Sequence, residues 1–240
     1  MTFDSLDPAL ILQTTERLER RIAERFPDRG LRQVAMELTG LAQGIASETS
    51  RLVPPIWGLR VLVALIVAGG AAVFLWIGSI IPLHQVGRDA VGSVEGVEAL
   101  INTSVLAALG LVALVRLEAR VKLHRVGRGL HRLRSVIHVI DMHQLTKDPV
   151  VLDEAYRATA HSPARDLTPI EMSRYLDYCS ELLAITGKLA ALYAQAVPVD
   201  SVARAVNDIE TLGANLSRKI WQKITLIDMA RPVRKRRVPE

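Results

Sequence analysis

Residues 61–83, VLVALIVAGGAAVFLWIGSIIPL, contain no charged side chain. A helix of that length spans ~35 Å at 1.5 Å per residue, against a bilayer hydrocarbon core of ~30 Å. So long an uncharged run predicts a membrane-spanning helix. Trp57 and Trp76 lie near its two ends, where an aromatic belt belongs, and Arg60 is placed to snorkel to the headgroups. The middle of the run is thin. Gly69 and Gly70 sit beside Ala64, Ala68 and Ala72 at four-residue spacing, which suits close helix packing or a pore lining. The N-terminus lacks the basic-then-apolar order of a signal peptide, so insertion is expected to rely on this span.

A second, shorter apolar run follows at residues 99–115, with Leu117 extending it past Arg116. Asn102, Thr103 and Ser104 make its first turn polar, fitting an interface position, helix–helix hydrogen bonding or a pore mouth. Charge sets the expected topology. Arg116, Arg120, Lys122, Arg125, Arg128, Arg132 and Arg134 follow the second run, against the single acid Glu118. The segment between the runs carries Arg88 against Asp89, Glu95 and Glu98. By the positive-inside rule both termini are cytoplasmic and the connection is external. The net charge of +5 is accounted for by the same rule. The basic run is then an anionic-lipid or anion-binding stretch on a bacterial-type plasma or inner membrane, each charge near the surface contributing ~1 kcal/mol.

Outside the membrane the pattern is helical throughout. Ile11, Thr15, Leu18, Ile22 and Phe26 repeat at helical spacing after the start signal Asp7-Pro8. After a turn at Pro27–Gly30, residues Leu31, Val34, Leu38, Leu41, Ile45, Thr49 and Leu52 form a second seam, which Pro54-Pro55 ends. Val126, Leu130, Leu133, Ile137 and Ile140 line a third, on a continuation of the second span that is expected to bend or fray at Gly127 and Gly129. Asp148-Pro149 predicts a short helix over 150–160. Thr168-Pro169-Ile170-Glu171 has the capping-box order. Tyr175, Tyr178, Leu182, Ile185, Leu189, Leu192 and Ala196 then hold a seven-residue repeat. Beyond Pro198, the residues Val202, Val206, Ile209, Leu216, Ile220, Ile224 and Ile227 make a returning helix.

The expected fold class is therefore all-α: an integral membrane protein with a two-helix transmembrane hairpin and a cytoplasmic long-helix bundle or antiparallel coiled coil. Its segments are an N-terminal helical pair (1–53), a first span (56–83), an external loop (84–98), a second span (99–117), a basic and histidine-rich juxtamembrane helix (118–148), a helical hairpin domain (149–230) and a basic tail (231–240).

The densest constellation of chemical groups lies after the second span. His124, His131 and His138 recur every seven residues on one flank, and His138, Asp141 and His143 give an HxxDxH spacing. These five residues are candidates for proton sensing, because histidine titrates near neutrality, or for holding a metal. His143 faces a different side of a continuous helix from His138 and would need a bend to join it. Enzyme signatures are missing: there is no phosphate loop, dinucleotide fingerprint or nucleophile elbow, and no cofactor is implied. Cys179 is the only cysteine, which excludes an internal disulfide. No aromatic residues interleave with the basic tail, which disfavours nucleic acid. The expected function is a membrane-anchored helical scaffold or interaction module that self-associates and meets a cytoplasmic protein partner. An oligomeric channel or transport component, with Gly69, Gly70, Asn102, Thr103 and Ser104 along the pore or packing face, is the alternative. A pH or metal sensor is the third reading.

Overall fold

A computed structural model of the chain describes residues 5–80, 90–152, 155–162 and 166–230, and every regular element among them is helical. The α-helices are α1 (Pro8–Arg25), α2 (Gly30–Leu52), α3 (Trp57–Ile80), α4 (Ala90–Leu145), α5 (Pro169–Ala196) and α6 (Asp200–Met229), with one 3-10 turn at Pro149–Leu152. The chain divides into two compact units, one of Met1–Val53 with Val126–Glu240 and one of Pro54–Arg125.

In the first unit, local chemistry starts α1 and α5 as the sequence leads one to expect. Asp7 accepts a hydrogen bond from the Ala9 amide at 2.8 Å, ahead of Pro8 in the first turn of α1. Thr168 and Glu171 complete a reciprocal capping box at the start of α5. The apolar seams become the core. Leu18, Ile22, Leu31, Leu38, Leu133, Ile137, Ile140, Leu176, Leu182, Leu189 and Ile220 are at most 2% exposed. Burying each such side chain contributes ~1.5–3 kcal/mol before the cost of ordering it. Two seam positions lie higher than expected, since Leu41 and Ala196 are only half-buried.

Helix α5 is the centre of this unit. Its buried residues fall on several faces, and it packs against α1, α2 and α6. Helix α6, by contrast, buries one narrow stripe from Val202 to Ile227, as an outer helix should. Aromatic edges close the junction of α1 with α5. The Phe26 ring meets Tyr175 at 5.4 Å and Tyr178 at 6.1 Å between centroids, both edge-on. Threonines sit inside the apolar seams because their hydroxyls find partners on their own helices. Thr15, Thr49 and Thr186 each donate to the carbonyl four residues back at 2.8 Å, and Thr39 does so at 3.0 Å.

Three expectations change. The helix expected over 150–160 is one 3-10 turn, Pro149–Leu152, followed by a turn in which Ser162 Oγ accepts from the Thr159 amide at 2.8 Å. The described residues of 155–160 are exposed or half-buried, so an α-helix there would have no apolar face to bury. Residues 90–98, assigned to the external loop, already belong to α4. Nor does α4 break at its glycines: it is helical from Ala90 to Leu145, and no described glycine has a positive φ. The remainder of the loop, 84–89, the last residues of the expected first span, 81–83, and the basic tail lie outside the described residues.

The second unit contrasts with the first. Among the described residues one helix is long and apolar enough to cross a membrane, and none of its apolar window is buried. Along α3, Trp57, Val61, Leu62, Leu65, Val73 and Trp76 are all exposed. So are Ile101, Val105, Leu106, Leu109, Leu111 and Val112 on the apolar part of α4.

Candidate functional site

The base of the second unit is held by one carboxylate. Glu118 pairs with Arg60 Nε at 3.0 Å and with Lys122 Nζ at 3.2 Å, and it accepts the Ile56 amide at 3.2 Å. Lys122 also donates to the Pro54 carbonyl at 3.1 Å. That carbonyl and that amide flank the helix start after Pro54-Pro55, where no helical partner is available to them. The Arg60 guanidinium, and after it the Ile56 amide, hold the Glu118 carboxyl down at about 2. Above this base a groove of about 520 Å³ runs between α3 and α4, lined by Val63, Ala64, Val67, Ala68, Ala71 and Leu114 among others. Gly69 and Gly70 face open space instead: among the described residues nothing lies within 4 Å of where a Cβ would stand on either.

The basic run splits by role. Lys122 is committed to Glu118 and Pro54. Arg116, Arg120, Arg125, Arg128, Arg132 and Arg134 are exposed, and none of the ion pairs among the described residues involves them. The field of Arg132 reaches Tyr193 in the core. Asn102, Thr103 and Ser104 are exposed on α4.

The histidine constellation does not assemble. His124, His131 and His138 are exposed along α4, and Asp141 accepts from the Gln144 amide group at 2.7 Å instead of facing a histidine. Among the described residues no group of three or more His, Cys, Asp or Glu side chains is placed to hold a metal. The physical reason is the unbroken helix: with no bend after His138, His143 is carried to another face.

What the sequence reading missed lies on that other face, inside the first unit. His143 is half-buried, with its ring against Gly30 at the start of α2 and its Nδ1 3.4 Å from Tyr175 Oη on α5. Next to it, Gln144 is 2% exposed, and Lys223 of α6 donates to its backbone oxygen at 3.0 Å and its Oε1 at 2.8 Å. A lysine from α6 thus caps the last turn of α4. Desolvation lowers the Lys223 pKa, partly offset by the fields of Asp148 and Asp141. Beneath this corner Cys179 is fully buried, and burial pushes its thiol up to about 12. About four turns earlier on α4, Tyr193 Oη packs against Gly129 and donates to Glu48 at 2.7 Å, tying α2, α4 and α5 together.

One further surface cleft, lined by Arg21, Glu24, Arg25, Arg174 and Tyr178, is basic in outline only. Glu181 takes Arg21 through two hydrogen bonds at 2.8 and 3.0 Å, and Asp177 takes Arg174 at 3.1 Å. Comparison with family models, with curated proteins and with solved structures finds no match to this chain.

Proposed function

We propose that the protein is a membrane-anchored helical scaffold, in which the second unit holds the chain in a bilayer and the first unit carries the interaction surfaces. The carrying observation is the contrast between the units. The first buries its apolar seams in its own core, while the apolar side chains of α3 and of residues 101–112 stay exposed. In this reading α3 and the apolar part of α4 form a two-span hairpin, with both chain ends on the basic, cytoplasmic side of a plasma-type membrane. The six exposed arginines from Arg116 to Arg134 meet anionic headgroups or acidic partners. The open face at Gly69 and Gly70 favours self-association through close helix contact.

The test is a pair of measurements on the full chain in lipid. Replacing residues 57–117 by an unrelated two-helix hairpin should leave membrane attachment intact, and the purified wild type should carry no ion flux in liposomes. A conductance that Asn102→Ala or Thr103→Ala alters would replace the scaffold by a channel. Recovery of the wild type in the soluble fraction without detergent would remove the membrane anchor from the proposal.

A further inference from the structure

We infer that the corner where His143 of α4 sits against Gly30 of α2 and Tyr175 of α5 is a proton-operated latch holding the end of α4 in the first unit. The inference goes beyond the scaffold reading and does not depend on it, because every group involved lies in the first unit.

The geometry has three parts. First, the imidazole occupies the space that a side chain at position 30 would need: a Cβ on Gly30 would lie 2.5 Å from His143 Cε1. Gly30 has no positive φ, so glycine is required there for room and not for conformation. Second, the ring lies at the beginning of α2, where the first amide N–H groups point outward. The N-cap residue Arg29 makes no side-chain bond to them. That end of a helix carries partial positive charge and disfavours a cation. Third, the charged group whose field reaches the ring is a cation, and the carboxylates described beside it, Asp166 and Glu171, are engaged elsewhere. On its own helix's side, Lys147 stands 5.4 Å over the Tyr175 ring and its field reaches His143. From the α2 side comes Arg29, which is paired with Asp166 in the segment before α5. From α5 come Tyr175, whose phenol burial keeps neutral, and Glu171, which is bound to Thr168 in the capping box.

A neutral His143 fits this corner and a protonated one does not. Desolvation, and then Lys147, lower its pKa below the ordinary 6.5. For a base depressed in this way, the neutral form stabilises the closed corner above the unfolded value. That stabilisation is lost as pH falls from about 6.5 towards the folded value. On proton uptake the ring leaves Gly30, and the last turn of α4 is released from α2 and α5. The cap that Lys223 places on Gln144 is strained in the same movement, because both belong to that turn. His131 and His138 are exposed along α4 and lie outside this corner.

Cys179 reports on the latch without any engineering. It is the only cysteine of the chain, it is fully buried one turn beyond Tyr175, and the fields of Lys147 and Lys223 both reach it. The full chain in nanodiscs would be treated with an aromatic disulfide reagent between about pH 7.5 and 5.5. Each rate would be divided by that of a cysteine in an unstructured peptide at the same pH. The normalised rate should rise ~3- to 10-fold on acidification, a tenfold change in opening corresponding to one pKa unit of differential proton binding. His143→Gln should flatten the rise and His138→Gln should leave it intact. A wild-type rate that does not change with pH overturns the latch, and so does a rise that survives in His143→Gln. Should the glutamine variant fail to show helical circular dichroism, the decision passes to the imidazole NMR titration of the wild type. There His143 must titrate below the ordinary imidazole value of 6.5, and titration at or above it overturns the proposal.

Discussion

At the scale of single residues, two glycines two positions apart behave as opposites. Gly127 has open space where a side chain would go, whereas Gly129 holds the Tyr193 ring in that space. Gly129→Ala should therefore overpack the α4–α5 contact and destabilise the first unit by ~1–3 kcal/mol. Gly127→Ala should be neutral, or stabilising by up to ~1 kcal/mol through helix propensity alone. Chemical denaturation followed by circular dichroism separates the two, and equal effects would show that the ring does not depend on Gly129. Read as sequence, Gly127-Arg128-Gly129 suggests a bend, because glycine weakens a helix locally. The helix nevertheless continues, because burial of Val126, Leu130 and Leu133 on either side fixes it. The ring that explains Gly129 lies sixty-odd residues away on α5, where no local pattern can reveal it. The same holds for Gly30 and His143, whose meeting depends on three helices far apart in the chain.

At the scale of elements, periodicity carries most of the information. The seams of α1, α4 and α6 were legible residue by residue, because a helix with one buried face must repeat its apolar side chains every three to four positions. Start signals alone were less dependable. Asp148-Pro149 resembles the start of α1, and Asp148 does accept the Val150 amide at 3.1 Å, but the described residues that follow at 155–160 bury no apolar face to carry the turn into a helix. The base of the second unit shows the reverse case, a tie without any periodic signal. Glu118 there joins Lys122 one turn away on its own helix to Arg60 and the Ile56 amide, 58 and 62 residues away. Its carboxyl is held at about 2 against an ordinary value of 4.5. A carboxylate depressed in this way stabilises above the unfolded value, and the effect is lost as pH falls from about 4.5 towards about 2. Amide exchange at residues 54–60, corrected for its intrinsic pH dependence, should accelerate on acidification through that window. Glu118→Gln should exchange faster at neutral pH and lose most of the acid response. An unchanged response in the variant would assign the acid sensitivity to another group.

At the scale of the whole molecule, the first unit contains its own core although its sequence is interrupted by residues 54–125. Replacing 54–125 by a long Gly/Ser linker should give a helical protein that unfolds cooperatively and stays dispersed without detergent. Circular dichroism and sedimentation velocity check this, and a molten or aggregated product would mean that the second unit supplies part of the core. The candidate site was only half legible at this scale. A row of histidines and arginines could be read from spacing, but not which one is turned inward, since that depends on how α2, α5 and α6 surround the end of α4. The central place of α5 also bears on how the protein is made. Helices α1 and α2 pack on α5, yet α5 is synthesised on the order of a hundred residues later. At ~5–20 residues per second the N-terminal pair waits roughly ten seconds for its partner. Throughout that interval α1 and α2 are without the helix on which both pack. The nascent chain must therefore be shielded by a chaperone, or by its own ribosome, until α5 emerges and the first unit can close.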